Sequence, residues 1–197
     1  MNFTVHENIC KALSITNELT GDYLEIGVYK GGTILTAQNY IDENYLLNIK
    51  ELRKRKTIGL DTFDGFNYEA AEASGDKMWN GTHKLFGVQE TINYVYETVG
   101  QHKTELFEIN ICTDQVPKSV TKVSVANIDV DLYDATRDAL NKVSPLVEKG
   151  GIIICEDPAS TPALYGSYFA MEEFLESIEG SQYIKIFKAG SYFLLKQ

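Results

Sequence analysis

Short apolar runs alternate with amphipathic stretches along this chain, and the alternation predicts its architecture. Val5, Ile9, Ala12, Leu13 and Leu19 recur at roughly helical spacing over residues 3–19, which predicts an amphipathic N-terminal helix within residues 1–20. That helix is a candidate cover for a ligand site or a face for a homodimer. Asp22-Tyr-Leu-Glu-Ile-Gly27 reads as a strand broken by glycine, and Gly31-Gly32 opens a helix through Ile34, Leu35 and Ala37. A polar, lysine-rich segment over 48–56 precedes the second strand, residues 57–61, so the first crossover is long.

Residues 62–84 combine Gly65, Gly75 and Gly81 with Asp64, Asp76 and Trp79. So many breakers predict a loop. A loop of this length in a compact domain is usually functional or disordered, and Phe63, Phe66, Tyr68 and Trp79 give it apolar surface enough to close over a ligand as a lid. Beyond it the pattern predicts a helix over 88–99, strands over 105–109 and 123–128, a helix over 134–147, a strand over 151–155 and a helix over 168–178. Residues 183–187 and 192–195 flank Lys188-Ala189-Gly190-Ser191, which reads as a hairpin. Such alternation calls for a mostly parallel α/β sheet with helices on both faces and right-handed crossovers, closed by an antiparallel C-terminal strand. At 197 residues, 44% of them hydrophobic, the chain is large enough for one full core and short for two, so residues 1–197 read as a single domain.

Composition removes several function classes. A net charge of −10 leaves no broad phosphate-binding surface, since nucleic-acid affinity rests on Lys and Arg. No apolar run approaches the roughly 20 residues of a membrane helix, and the first 24 residues have neither a basic start nor a continuous apolar stretch. Cys10, Cys112 and Cys155 are odd in number and widely spaced, as expected of reduced thiols in a cytoplasmic protein. A small molecule is the expected partner.

The most informative segments are Ile128-Asp-Val-Asp-Leu-Tyr-Asp-Ala-Thr136 and Glu156-Asp157, the latter closing the apolar run 151–155. Were these strands neighbours in a parallel sheet, about 5 Å apart, Asp129, Glu156 and Asp157 would converge. Two carboxylates about 4 Å apart repel by of order 4 kcal/mol at an effective dielectric of about 20, and hard oxygen ligands of this kind are what Mg²⁺ or another divalent cation prefers. The plainer alternative is a row of exposed acids at strand ends, favoured by the helix N-termini that follow.

In open α/β sheets ligands lie beyond the carboxyl ends of the strands. There Glu25-Ile-Gly27-Val-Tyr-Lys-Gly31-Gly32 resembles a nucleotide-binding turn, and Asp61, at the end of the second strand, could accept both ribose hydroxyls of an adenosine. The dinucleotide fingerprint G-x-G-x-x-G, with its acid about 20 residues on, is absent, because the acid here lies 34 residues beyond Gly27. S-adenosylmethionine lacks phosphates, and an acid-lined pocket suits its sulfonium.

With Leu24-Glu-Ile-Gly-Val-Tyr-Lys-Gly-Gly32, Gly59-Leu-Asp-Thr-Phe-Asp-Gly65, the Ile128 to Thr136 segment, Pro145 with Gly150-Gly151, and Glu156-Asp157 followed by Gly166, the chain resembles class I S-adenosylmethionine-dependent methyltransferases. More narrowly it resembles the macrocin O-methyltransferase family. The resemblance implies a Rossmann-like methyltransferase sheet of strand order 3-2-1-4-5-7-6. It implies cofactor contacts from Glu25, Gly27 and Asp61, with Gly31 and Thr62 beside them and Asp114 near the adenine, and Mg²⁺ ligation by Asp129, Glu156 and Asp157. The chain departs from the family pattern at Glu156-Asp157-Pro158, where two aspartates and a tyrosine are usual, and at Asn110, where glycine is common.

The chemistry implied is methyl transfer to a hydroxyl of a small molecule, a sugar or other vicinal diol, which the metal orients and acidifies. Asp131 and His83 are the candidate general bases. Two alternatives stand beside this reading. Asp129-Val-Asp131 is also a D-x-D, the metal signature of nucleotide-sugar glycosyltransferases, and the chain could be a non-catalytic binding protein of methyltransferase fold.

Overall fold

The computed structural model describes residues 3–44, 55–69, 72, 75–100, 104–156, 158 and 165–197. Helix α1 (Phe3–Ile15) leads into β1 (Asp22–Ile26), α2 (Gly32–Glu43), β2 (Thr57–Asp61), α3 (Val88–Val99), β3 (Thr104–Glu108), β4 (Val123–Ile128), α4 (Tyr133–Val143), β5 (Val147–Cys155), α5 (Tyr165–Glu176), β6 (Tyr183–Lys188) and β7 (Ser191–Lys196). The seven strands form one sheet in the order β3-β2-β1-β4-β5-β7-β6. Pairing is parallel from β3 to β5 and antiparallel at β5–β7 and β7–β6. The hairpin turns on Ala189 and Gly190, both at positive φ, as a type I′ turn requires.

Strand alternation divides the core between the two faces of the sheet. Leu24, Ile26, Ile58, Leu60, Ala126, Ile128 and Ile153 pack with Ala135, Ala139 and Leu140 of α4 and Met171 and Phe174 of α5. Tyr23, Val125, Ile152, Ile154 and Phe193 pack on the other side with Ile9 and Leu13 of α1, Ile34 and Ala37 of α2 and Val95 of α3.

Element ends depart from the sequence pattern where a side chain intervenes. α1 stops at Ile15 rather than residue 19. The Thr16 hydroxyl donates to the Ala12 carbonyl at 2.9 Å, and the buried Arg55 guanidinium takes the carbonyls of Thr16 and Leu19, groups that would otherwise be orphaned at a helix C-terminus. α4 ends at Val143 rather than 147, since Pro145 permits only a 3₁₀ turn over Ser144–Leu146. β5 then begins four residues earlier than expected, at Val147. α5 likewise starts at Tyr165, before the expected residue 168.

The carboxyl ends of β1, β2, β4 and β5 lie along one edge, and at Gly27 the first of them comes closest to the fourth strand. Gly27 sits at φ +90, and a Cβ there would stand 1.8 Å from the Asp129 carbonyl oxygen. Its lack of a side chain is therefore demanded by backbone approach between β1 and β4. Gly27→Ala should destabilise the fold by at least about 2 kcal/mol, read as a lowered urea midpoint with an unchanged slope.

Candidate active site

The site begins with register. Ile128 lies opposite Cys155 in the β4–β5 pairing, the Asp129 amide donates to the Ile26 carbonyl at 2.9 Å and the Glu156 amide to the Ile128 carbonyl at 3.2 Å. Asp129 and Glu156 thus emerge side by side. Burial, and then the neighbouring Asp129 carboxylate, push the Glu156 carboxyl up to about 10. Its Oε2 is shut off from solvent and has no hydrogen-bond partner. Two of the three expected metal ligands are therefore brought together. The third, Asp157, lies outside the described residues, and among the described residues no group of three His, Cys, Asp or Glu could hold a metal ion. The pair nevertheless fits a cation chemically: two adjacent carboxylates, hard oxygen donors that repel when both are charged, would be relieved by one positive ligand.

Beside this corner a cavity of about 280 Å³ opens between the ends of β1, β2 and β4 and the 62–84 loop. Asp61, Asp129 and Asp131 line it, and no Lys or Arg is among its described lining residues. Apolar walls come from Leu60, Ile109, Ile111 and Tyr68. Four of the five non-glycine residues at positive φ among the described residues, Tyr29, Phe63, His83 and Asp131, also line it. Such strain persists only where surrounding contacts over-determine it. Asp61 supplies those contacts for two of them: its Oδ2 accepts the amides of Val28 and Tyr29 at 2.7 and 2.9 Å, and its Oδ1 the amide of Phe63 at 2.7 Å. A carboxylate has about four acceptor positions, and the Thr62 hydroxyl stands 3.5 Å from Oδ1 as well, so most of the acceptor capacity of Asp61 is taken by its own chain.

The 62–84 loop is closed at its neck. Phe66 and Thr82 are joined by a 2.9 Å backbone bond, the Gly81 amide reaches the Phe66 carbonyl, and a Cβ on Gly65 would strike the Thr82 carbonyl at 2.4 Å. His83 packs over the cavity between Phe66 and Tyr29, with ring centroids at 4.7 and 5.6 Å. At the far end of the loop, buried Asp76 accepts the Tyr133 amide at 2.8 Å. The α4 N-cap, Leu132, offers no side-chain cap, so a carboxylate from the loop serves the positive end of that helix instead.

The other sequence candidates divide. Asp131 reaches the cavity although β4 ends at Ile128, because the Leu132 amide turns back to the Val130 carbonyl. Thr62 lines the cavity and bonds the Gly65 carbonyl at 2.9 Å. Glu25 is not brought to the cavity. It is fully buried on the α1 side, where Tyr23 and Thr33 hydroxyls donate to its two oxygens at 2.6 and 2.8 Å. Gly31 also stays away from the cavity. It opens α2 at φ +78, and a Cβ there would press on Val95 of α3 at 2.9 Å, so helix packing demands this glycine. Asp114 is exposed and accepts the Asn110 amide at 2.9 Å, closing its own turn outside the lining. Sequence reasoning missed Tyr29, Ile109 and Ile111 in the lining, and it missed Asp76 as a cap. The one available signal for Asp76 was the uncapped start of α4.

Comparison with known proteins finds relatives over most of the chain. The model of the macrocin-O-methyltransferase (TylF) family matches residues 5–185. An 8-demethyl-8-(2,3-dimethoxy-alpha-L-rhamnosyl)-tetracenomycin-C 4'-O-methyltransferase of Streptomyces olivaceus is 25% identical over 156 residues, 76% of this chain and 58% of that protein. A demethyldecarbamoylnovobiocin O-methyltransferase of Streptomyces niveus is 24% identical over 164 residues, 79% and 60% respectively. The chain thus spans about three-fifths of the length of these relatives. The solved structure of the O-methyltransferase NovP superposes with a TM-score of 0.74 at 20% identity, over 98% of this chain and 79% of that one.

Burial raises the Glu25 carboxyl from 4.5 to about 8, against the two hydroxyl donors, which lower it. The folded chain therefore holds a proton there that the unfolded chain releases above about pH 4.5. The associated stability is complete below that pH and is lost as pH rises through about 8, by roughly 1.4 kcal/mol per pH unit within the window. Glu25→Gln should flatten this part of the pH dependence of the urea midpoint. An identical slope in the variant would place the titration elsewhere.

Proposed function

Because the chain belongs to the macrocin O-methyltransferase family, with a match over residues 5–185, we propose that it transfers a methyl group from S-adenosylmethionine to a hydroxyl of a small molecule. The observation that carries this is the cavity at the strand ends, lined by three aspartates and no Lys or Arg among its described residues. A ligand carrying a sulfonium and an ammonium suits such walls, and a phosphate-bearing one does not. Asp61 and Thr62 would face the ribose, Ile109 and Ile111 the adenine, and the Gly27 turn with Asp129 the methionine end. The D-x-D glycosyltransferase reading loses its support, since the family match runs through Asp129 and Asp131.

The acceptor we propose is a sugar hydroxyl with a second oxygen beside it, a reading supported by the rhamnosyl group in the name of the S. olivaceus relative. Asp129 and Glu156, with Asp157, would hold a divalent cation. Bound there, it would acidify and orient an acceptor hydroxyl. The chain's own part is positional. Fixed geometry between donor and acceptor contributes several kcal/mol, and the 62–84 loop acts as a lid that keeps water from the reacting atoms. Asp131 and His83, both on the cavity wall, are placed to take the hydroxyl proton.

Calorimetry and a methyl-transfer assay on glycosides bearing vicinal hydroxyls test this directly. S-adenosylmethionine should bind, and Asp61→Ala should weaken it by about 1.5–3 kcal/mol. EDTA should abolish turnover while leaving cofactor affinity nearly intact. Asp129→Asn should lower turnover by at least about 10²-fold. Binding of a UDP-sugar in place of S-adenosylmethionine would overturn the donor, and full turnover in EDTA would remove the metal.

A further inference from the structure

Six buried side-chain atoms among the described residues have no hydrogen-bond partner: Asn8 Oδ1, Arg55 Nε, Asn127 Nδ2 and Oδ1, Ser144 Oγ and Glu156 Oε2. Leaving such a group unserved costs about 1–3 kcal/mol, so native interiors seldom do it without a water or an ion. Four of the six belong to one corner. Asn127, fully buried in β4, stands in register between Glu25 of β1 and Ile154 of β5. Glu156 follows Ile154 by two residues, so strand alternation sets it diagonally beside Asn127 on the same face. Tyr23, on that face under α1, has its hydroxyl raised by the charges of Glu25, Glu156 and Asp129, after burial itself.

α1 closes the corner from above. The Asn8 amide donates to Ser191 Oγ at 3.1 Å and to the Lys188 carbonyl at 3.1 Å, while its own Oδ1 is buried and unserved. Ser191 and Glu156 stand one residue beyond the pair Cys155–Tyr192. The unserved set is thus three acceptors, Asn8 Oδ1, Asn127 Oδ1 and Glu156 Oε2, with a single donor atom, Asn127 Nδ2. That amide carries two N–H groups, which cannot serve three oxygens, one of them its own. Water can, because it brings two donors and accepts in return, and buried waters typically make about three such bonds.

We propose that Asn127 is a positioning residue for Glu156, its carboxamide holding the Glu156 Oε2 through buried water beneath α1. The water fixes one carboxylate oxygen from behind and leaves the other turned to Asp129, so that the pair is presented to a cation in one geometry. The assignment rests on the metal reading above. Partners of this kind, one step behind a ligand, commonly change metal affinity 10–100-fold when removed.

Asn127→Val and Asn127→Thr differ by a hydroxyl at nearly constant shape and suit a strand interior, so they separate the polar role from packing. Mn²⁺ binding to the full chain, followed by electron paramagnetic resonance, should weaken about tenfold or more in Asn127→Val and stay within about threefold of wild type in Asn127→Thr. Asn127→Val should also lower the thermal midpoint, because it takes a partner from the buried water that serves the Glu156 Oε2, whereas Asn127→Thr should stay near wild type. A crystal structure of the wild type should show a water within hydrogen-bond distance of both Asn127 and Glu156. Equal Mn²⁺ affinity in the two variants, or a direct contact in place of water, overturns the role of Asn127 and leaves the metal reading standing. A wild-type chain that binds no Mn²⁺ overturns both.

Discussion

Two carboxyl groups placed side by side at the end of a parallel sheet are the constraint around which this molecule is arranged. The register that sets Ile128 opposite Cys155 leaves the next residue of each strand no other position, so Asp129 and Glu156 meet where solvent screening is weak. Charging both would cost several kcal/mol at that separation. In the free chain a proton settles the matter, as the Glu156 carboxyl raised to about 10 shows. A cationic ligand settles it differently, by replacing the proton. The same trade is available at Glu25, raised to about 8 one strand away. This need for neutralisation is what supports the proposed cation site.

The cavity beside the corner is held in shape by one side chain. Tyr29 and Phe63 both adopt left-handed backbone conformations, each costing of order 1–3 kcal/mol for a residue with a side chain. Asp61 bonds the amides of both, together with that of Val28, and so ties the β1 turn to the start of the lid. A residue that reads from sequence as a ligand contact is first a staple for two loops. On the proposed reading, the carboxylate that fixes these two turns would also face the ribose, with few acceptor positions left.

Most of the architecture was legible because it follows from pattern alone. The apolar runs ending in Asp61 and Ile128, the amphipathic stretch over 88–99 and the Ala189-Gly190 turn reappear as β2, β4, α3 and the terminal hairpin. The meeting of Asp129 with Glu156 was also legible, since strand alternation and a parallel sheet suffice to predict it. What stayed hidden depends on contacts between distant segments. Gly31 reads as a nucleotide-turn glycine until Val95 of α3 is seen beneath it. Glu25 reads as a cofactor contact until Tyr23 and Thr33 are seen to hold it inside the core. Asp114 satisfies its own turn, a local bond that spacing cannot distinguish from a ligand contact.

The 62–84 loop, proposed above as a lid, is held over the cavity by weak contacts. The cavity of about 280 Å³ beneath the loop is near the lower limit of about 300 Å³ for ligand pockets. Two attachments oppose lifting. The Asp76 carboxylate at the N-terminus of α4 contributes about 0.3–2 kcal/mol, and each aromatic contact of His83 about 0.5–1.5 kcal/mol. Together these amount to a few kcal/mol, so on the lid reading a lifted form would be populated at roughly 0.1–10%. The neck between Phe66 and Thr82 is hydrogen-bonded independently of both attachments, so the loop can detach without unravelling. On that reading, closure over a bound cofactor would need no new structure, only the return of one carboxylate to a helix end and one ring to its stack.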